Sequence, residues 1–231
     1  MWTILPSHAI LQSGPLTARI NTENPSRGLS EITALQRPQT QGAPLCLDLD
    51  GASPDATRVV LESYSRGQDL IVVYEPRAEH PVTATVLWHA MSQAETATGM
   101  ELVISLQTDQ LYQQASARTY TEVPCDEIHL CGPKCDWRWP MDEERITAVL
   151  ARIDDRISYL EIVHPTNRDR FSIQREAKSC RWDFTVLEQV LEKGVIHRAR
   201  LQGWWLATEN AQQVADQLIA AFVNSPLPLT T

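Results

Sequence analysis

Four stretches in the middle of the chain alternate between apolar and polar residues, and they follow one another with no helical segment between them. They are Arg58–Tyr64, Leu70–Glu75, Val82–Met91 and Met100–Thr108. Side chains of a strand point to opposite faces in turn, so period-two alternation marks a half-buried strand. Val82, Ala84, Val86 and Trp88 point one way, and Thr83, Thr85, Leu87 and His89 the other. Met100, Leu102, Ile104 and Leu106 repeat the apolar face, against Glu101, Ser105 and Gln107. The link Arg66-Gly67-Gln68-Asp69 is short, polar and contains glycine, which predicts a hairpin. Parallel strands need long crossovers, usually helical, so this succession predicts an antiparallel meander and argues against a doubly wound nucleotide-binding fold.

Further strands are predicted at Trp2–Leu5, Leu16–Ile20, Leu45–Leu49, Ile146–Ile153, Ile157–His164, Phe171–Gln174 and Val195–Ala207. Asp154-Asp155-Arg156 would close a hairpin. Trp182–Leu191 reads as a short helix, because Phe184, Leu187, Val190 and Leu191 fit an apolar stripe. Thr208 to Asn224 reads as the main helix, with Thr208 as N-cap, Val214, Leu218, Ala221 and Phe222 inward, and Pro226 and Pro228 beyond it. The expected fold class is mainly β: a large antiparallel sheet or a two-sheet supersandwich with a C-terminal α-helix. With 231 residues, one domain over 1–231 is expected.

Charge and motifs narrow the function by exclusion. The net charge is −9, from 20 basic and 29 acidic residues, and no basic stripe appears. Tight nucleic-acid binding depends on Lys and Arg displacing counterions, so no nucleic-acid partner is expected. No apolar run is long enough to span a bilayer, and the N-terminus lacks a charged-then-apolar export pattern, so no membrane partner is expected. Five cysteines, with no export signal, read as thiols of the cytoplasm. The chain has no glycine-rich phosphate loop, no GxSxG elbow, no HExxH and no EF-hand loop. No cofactor is expected, and no catalytic residue stands out.

Two constellations remain. Cys125, His129, Cys131 and Cys135 carry zinc-ligand chemistry, but the spacing is irregular and all four lie within eleven residues. The expectation is therefore no metal. The second constellation is the polar side of the long strands: His89 with Thr83 and Thr85, Glu161 on one face with Tyr159, and Arg198 and Arg200 on one face with Gln202 and Trp204. If those strands are neighbours, acid, base, guanidinium and ring would line one surface, a set suited to a sugar or sugar derivative. A solvated sheet face gives the same alternation, so a non-enzymatic interaction or structural protein is the other reading. His197 falls on an apolar face and reads as a hydrogen-bonded core residue. His164, before Pro165, reads as a turn residue, and His8 and His80 lie in loop-like contexts. Among seven tryptophans, Trp88 is expected in the core, and one or two of Trp137, Trp139, Trp182, Trp204 and Trp205 are expected to be exposed for binding. Oligomeric state is left open.

Arg66–Pro76 (RGQDLIVVYEP), Tyr159–Pro165 (YLEIVHP) and Leu191–Leu201 (LEKGVIHRARL) resemble stretches of a bacterial family of hypothetical proteins. That resemblance implies no activity. The order of long antiparallel strands resembles the galactose-mutarotase-like supersandwich. This implies a two-sheet fold and favours a carbohydrate-binding or epimerase-like role. Mutarotases use a Glu base and His residues on the concave sheet, and no position here matches that motif, so no catalytic residue is carried over.

Overall fold

The structure is a computed structural model that describes residues 1–39, 41–49, 51, 57–93, 96–132, 137–138, 146–167 and 169–226. Its described strands form three antiparallel sheets. The N-terminal sheet is a simple meander of β1 (Trp2–Ile4), β2 (His8–Ser13), β3 (Leu16–Asn21), β4 (Leu29–Ala34) and β5 (Arg37–Gln39).

The nine-stranded sheet holds β7 (Val60–Arg66), β8 (Asp69–Tyr74), β9 (Val82–Gln93), β10 (Ala97–Thr108), β12 (Glu127–Cys131), β13 (Trp137–Arg138), β14 (Ala148–Arg152), β15 (Ile157–Val163) and β18 (His197–Ala207). Their order is β13-β12-β14-β15-β18-β10-β9-β8-β7. The four strands expected from alternation are thus consecutive neighbours at one side of this sheet. Gly67 makes the β7–β8 turn at φ 61°, a left-handed conformation that suits glycine. The four-stranded sheet runs β16 (Arg170–Arg175), β17 (Ser179–Glu192), β11 (Tyr112–Pro124) and β6 (Ala43–Leu49).

One face of the large sheet is core. Leu70, Val72, Tyr74, Val86, Trp88, Leu102, Ile104, Leu201 and Trp205 from that face join Ala117, Val123, Trp182 and Phe184 of the small sheet in one contiguous buried cluster. Trp2, Leu11, Leu16 and Ile20 of the N-terminal sheet belong to the same cluster. The opposite face of the large sheet is divided. Helix α1 (Ala211–Asn224), entered through a 3-10 turn at Thr208–Asn210, covers one half of it. Ala211, Ala215, Leu218, Ile219 and Phe222 pack there on Ala148, Leu150, Leu160, Ile162, Trp204 and Leu206. The other half is left uncovered by the helix. Among the described residues no helix is long and apolar enough to cross a membrane.

Several details depart from expectation. Ser179–Glu192 is a fourteen-residue strand and not a helix. Cys180, Trp182, Phe184 and Val186 alternate inward, and an irregularity opposite Ala117 and Arg118 then brings Leu187 inward too. That one-residue reset gives Phe184, Leu187 and Leu191 a helix-like spacing. In α1 the buried stripe uses Ala215 and Ile219, while Ala221 is exposed. Thr208 is not the N-cap of α1. Its hydroxyl lies 3.0 Å from that of Ser158, and Asn210 holds the cap position. Trp2, Trp88, Trp182, Trp204 and Trp205 are all buried, and Trp137 donates to Asp216 on the helix at 2.7 Å, so no described tryptophan is presented to solvent for binding. Trp139 lies outside the described residues.

Candidate functional site

The strand register lays the open face out as a grid. One row across β7, β8, β9, β10 and β18 reads Arg66, Asp69, His89, Glu101, Gln202. The next reads Tyr64, Ile71, Leu87, Val103, Arg200, and the third Glu62, Val73, Thr85, Ser105, Arg198. Ile71, Leu87 and Val103 form their own small apolar cluster between the two polar rows. Over this strip lies a groove of about 260 Å³, lined by Tyr64, Arg66, Ile71, Val73, Thr85, Leu87, Val103, Ser105, Gln107, Ile196 and Arg198. Tyr64 stands exposed at its edge.

The polar rows differ in what their charges do. His89 Nδ1 lies 2.6 Å from Asp69 Oδ1, with the imidazole about half exposed. A carboxylate on one ring nitrogen fixes the tautomer and orientation, and leaves the other nitrogen to a ligand. Arg200, by contrast, is committed to the fold. Its guanidinium lies 2.7 Å from Glu101 Oε1, donates 3.1 Å to the carbonyl of Pro226 and 3.0 Å to Ser225 Oγ, and stacks 4.8 Å over Phe222. Gln202 donates to Glu101 at 3.3 Å and accepts from the Trp204 indole at 2.9 Å. This buried network fastens the C-terminal end of α1 to the sheet, where a cation also favours the helix dipole.

Glu161 is not on this face. It shares a face with Tyr159, as the alternation predicted, but that face is the core. Opposite Gly203 and Val149, it is fully buried between the two sheets. Its Oε2 accepts from Thr121 Oγ1 at 2.5 Å and from Tyr159 Oη at 3.4 Å, and the Trp182 indole N–H lies beside the carboxyl. Burial raises its carboxyl from the ordinary 4.5 to about 7, against the opposing pull of the Thr121 hydroxyl. The glycine opposite is obligatory: a Cβ on Gly203 would lie 2.3 Å from Tyr159 Oη. The expected quartet therefore separates. His89 and Arg198 share the open face, Arg200 lies on it but is enclosed by the helix end, and Glu161 is on the far side of the sheet.

Among the described residues the Cys-His set does not gather into one metal-binding group. Cys125 belongs to the main core and hydrogen-bonds Cys180, Cys131 lies under the helix, and His129 lies 3.0 Å from Glu127. Cys135 lies outside the described residues. Burial, more than the Cys180 hydrogen bond, pushes the Cys125 thiol up to about 12. His197 is half-buried and 2.5 Å from Gln189, and His164 bonds Thr166 at 2.8 Å in its turn.

Among solved structures, the chain is similar to a Klebsiella pneumoniae protein provisionally named an aldose 1-epimerase, with a TM-score of 0.51 and 9% identity over 96% of this chain and 92% of that one. A mutant of the heparan sulfate lyase HepC from Pedobacter heparinus superposes with a TM-score of 0.48 and 8% identity. That superposition covers 87% of this chain, which spans 35% of the lyase. At such identities the likeness is one of fold alone. No family profile and no curated protein matches the sequence.

Proposed function

We propose that this protein binds a saccharide in the groove on the open half of the large sheet. The observation that carries the reading is the apolar strip Ile71, Leu87 and Val103 framed by polar rows, with the Tyr64 ring at its edge. A pyranose has an apolar face and a rim of hydroxyls, so it matches a floor that is apolar at the centre and hydrogen-bonding at the sides. Thr85, Ser105 and Gln107 supply donors and acceptors there. The fold shared with the Klebsiella protein supports the reading at the level of architecture. In the epimerase-like form of this reading, His89, oriented by Asp69 in the row next to Leu87 and outside the groove lining, is the proton-transfer group for a ligand that extends past the apolar strip. Calorimetric titration with a panel of mono- and disaccharides tests it. Binding should weaken at least tenfold in Tyr64→Ala, and a panel giving no binding rejects the reading.

A second observation favours an interaction protein. Leu111, Tyr112, Val195 and Ile196 are exposed where the β10–β11 and β17–β18 turns meet, held by Gly194 N–H donating to Thr108 O at 3.2 Å. Exposed apolar clusters mark docking surfaces. Self-association that disappears in a Leu111→Ser, Ile196→Ser double variant would support this reading, and a monomer at every concentration would count against a self-associating form of it.

A further inference from the structure

We infer that two copies of this chain pair edge to edge through β7, antiparallel about a two-fold axis at Tyr64. The inference does not depend on what the groove binds. An edge strand carries a row of unpaired N–H and C=O groups, and chains blunt such rows with short strands, proline or charge. Among the described edges, β1 and β5 have three residues each and β13 has two. β5 and β6 contain Pro38 and Pro44, and β16 carries like charges, Arg170 and Arg175. β7 differs. It has seven residues, no proline, and charges of both signs in Glu62 and Arg66. Leu61 and Ser65 are exposed as well as Glu62, Tyr64 and Arg66, so the strand stands open along its outer side. An irregularity at Leu61 confines its regular ladder to Glu62–Arg66.

The ladder fixes which backbone groups that edge offers. Ala90 N–H donates to Gln68 O, so the even-numbered residues of β8 bond β9, and Asp69, Ile71 and Val73 bond β7. Their partners Arg66, Tyr64 and Glu62 therefore turn their N–H and C=O towards β8, and Ser63 and Ser65 turn theirs outward. With the two-fold at Tyr64, Ser63 of each copy exchanges both backbone bonds with Ser65 of the other. The same register lays Glu62 of each copy opposite Arg66 of the other, and the two Tyr64 rings side by side. These are non-hydrogen-bonded pairs, in which facing side chains come closest. Glu62 and Arg66 are exposed, and neither forms an ion pair among the described residues. Asp69, beside Arg66 in register, is held by His89 at 2.6 Å. Moving the two-fold to Ser63 or Ser65 would set Glu62 against Tyr64 or Gln68, so the charges select the register. A contact of this self-complementary kind closes as a dimer and does not propagate. Tyr64 and Arg66 also line the groove, so the pairing sets the two grooves next to each other on one continuous face.

Sedimentation equilibrium of the full chain, carried to millimolar concentration, tests this. The mass should rise from 26.0 kDa towards twice that value. Glu62→Lys sets a lysine against Arg66 of the other copy, and Arg66→Glu sets a glutamate against Glu62. Each should weaken the dimer by roughly tenfold or more, since two opposite-charge pairs become like-charge pairs. Both variants should keep the parent's melting temperature. An equimolar mixture of the two should regain the dimer, because every facing pair is then of opposite charge, and a defect in folding would not recover on mixing. The double variant Glu62→Lys, Arg66→Glu should dimerise as the parent does. A chain that stays monomeric at every concentration overturns the inference and leaves the saccharide reading standing. A dimer that both single variants leave intact also overturns it, above all one lost in the Leu111→Ser, Ile196→Ser variant. Loss in each single variant without recovery in the mixture overturns the register and the inference with it.

Discussion

Replacing Glu161 by Gln should remove a pH dependence that the fold builds into its own core. The carboxyl is fully buried between the sheets, and burial raises it from 4.5 to about 7. Between those values the unfolded chain has released the proton while the folded chain still holds it. Stability contributed by this group is therefore complete below about pH 4.5, falls as pH rises, and levels off above about pH 7. Each pH unit over which the two states differ by one proton is worth ~1.4 kcal/mol, so the full loss is about 3 kcal/mol. Gln is close in shape, can still accept from Thr121, and does not ionise. At pH 4.5 the variant should lie within about 1–2 kcal/mol of the parent, the scale of one altered hydrogen bond. At pH 8 the balance should have moved by about 3 kcal/mol in favour of the variant. Urea unfolding followed by tryptophan fluorescence at half-unit pH steps reads this, with Trp182 beside the carboxyl as a reporter. Taking the difference between the two proteins cancels the other titrating groups. A difference that stays flat from pH 4.5 to 8 would refute the reasoning, because Glu161 would then titrate alike in both states.

Gly203→Ala should destabilise the fold by ~1–3 kcal/mol or more, since its Cβ would meet Tyr159 Oη at 2.3 Å and Leu45 Cδ1 at 3.1 Å; an unchanged urea midpoint contradicts this. Phe222→Ala should cost ~3–5 kcal/mol, as it empties the core under α1 and removes the ring on which Arg200 stacks; calorimetric melting checks it, and a loss below ~1 kcal/mol would show that the helix is not integral. Purified protein should carry no stoichiometric zinc, because Cys125 and Cys131 lie in separate clusters; elemental analysis giving one zinc per chain contradicts this.

The parts of the fold legible in the sequence were those where the inward positions are large and apolar and the outward ones polar. Val82–Met91 and Met100–Thr108 show this, and β9 and β10 follow. The strand β11 went unread because its inward residues are Ala115, Ala117, Thr119, Thr121 and Val123, small or polar side chains that give period-two alternation no contrast. β17 was misread because its irregularity changes the buried parity after Val186. Alternation placed Glu161 with Tyr159 and Arg200 with Gln202 correctly on their own strands. It could not say which face of each strand is outward, because that depends on which strands pair and what packs above them. Leu87 among Thr83, Thr85 and His89, and Val103 between Glu101 and Ser105, were the signals in the sequence for the groove floor. Their partner Ile71 sits in a run apolar on both faces, where the sequence offers no contrast.

The most direct test of the central claim is to locate the bound saccharide on the molecule. Titration of isotope-labelled protein with the saccharide of the panel that binds most tightly, followed by amide and methyl chemical shifts, reports which face responds. The account predicts shifts confined to Ile71, Leu87, Val103, Thr85, Ser105 and their neighbours, saturating with the calorimetric affinity. Saturating shifts on the outer face of the four-stranded sheet, or none on the groove residues at concentrations where heat is released, would contradict it.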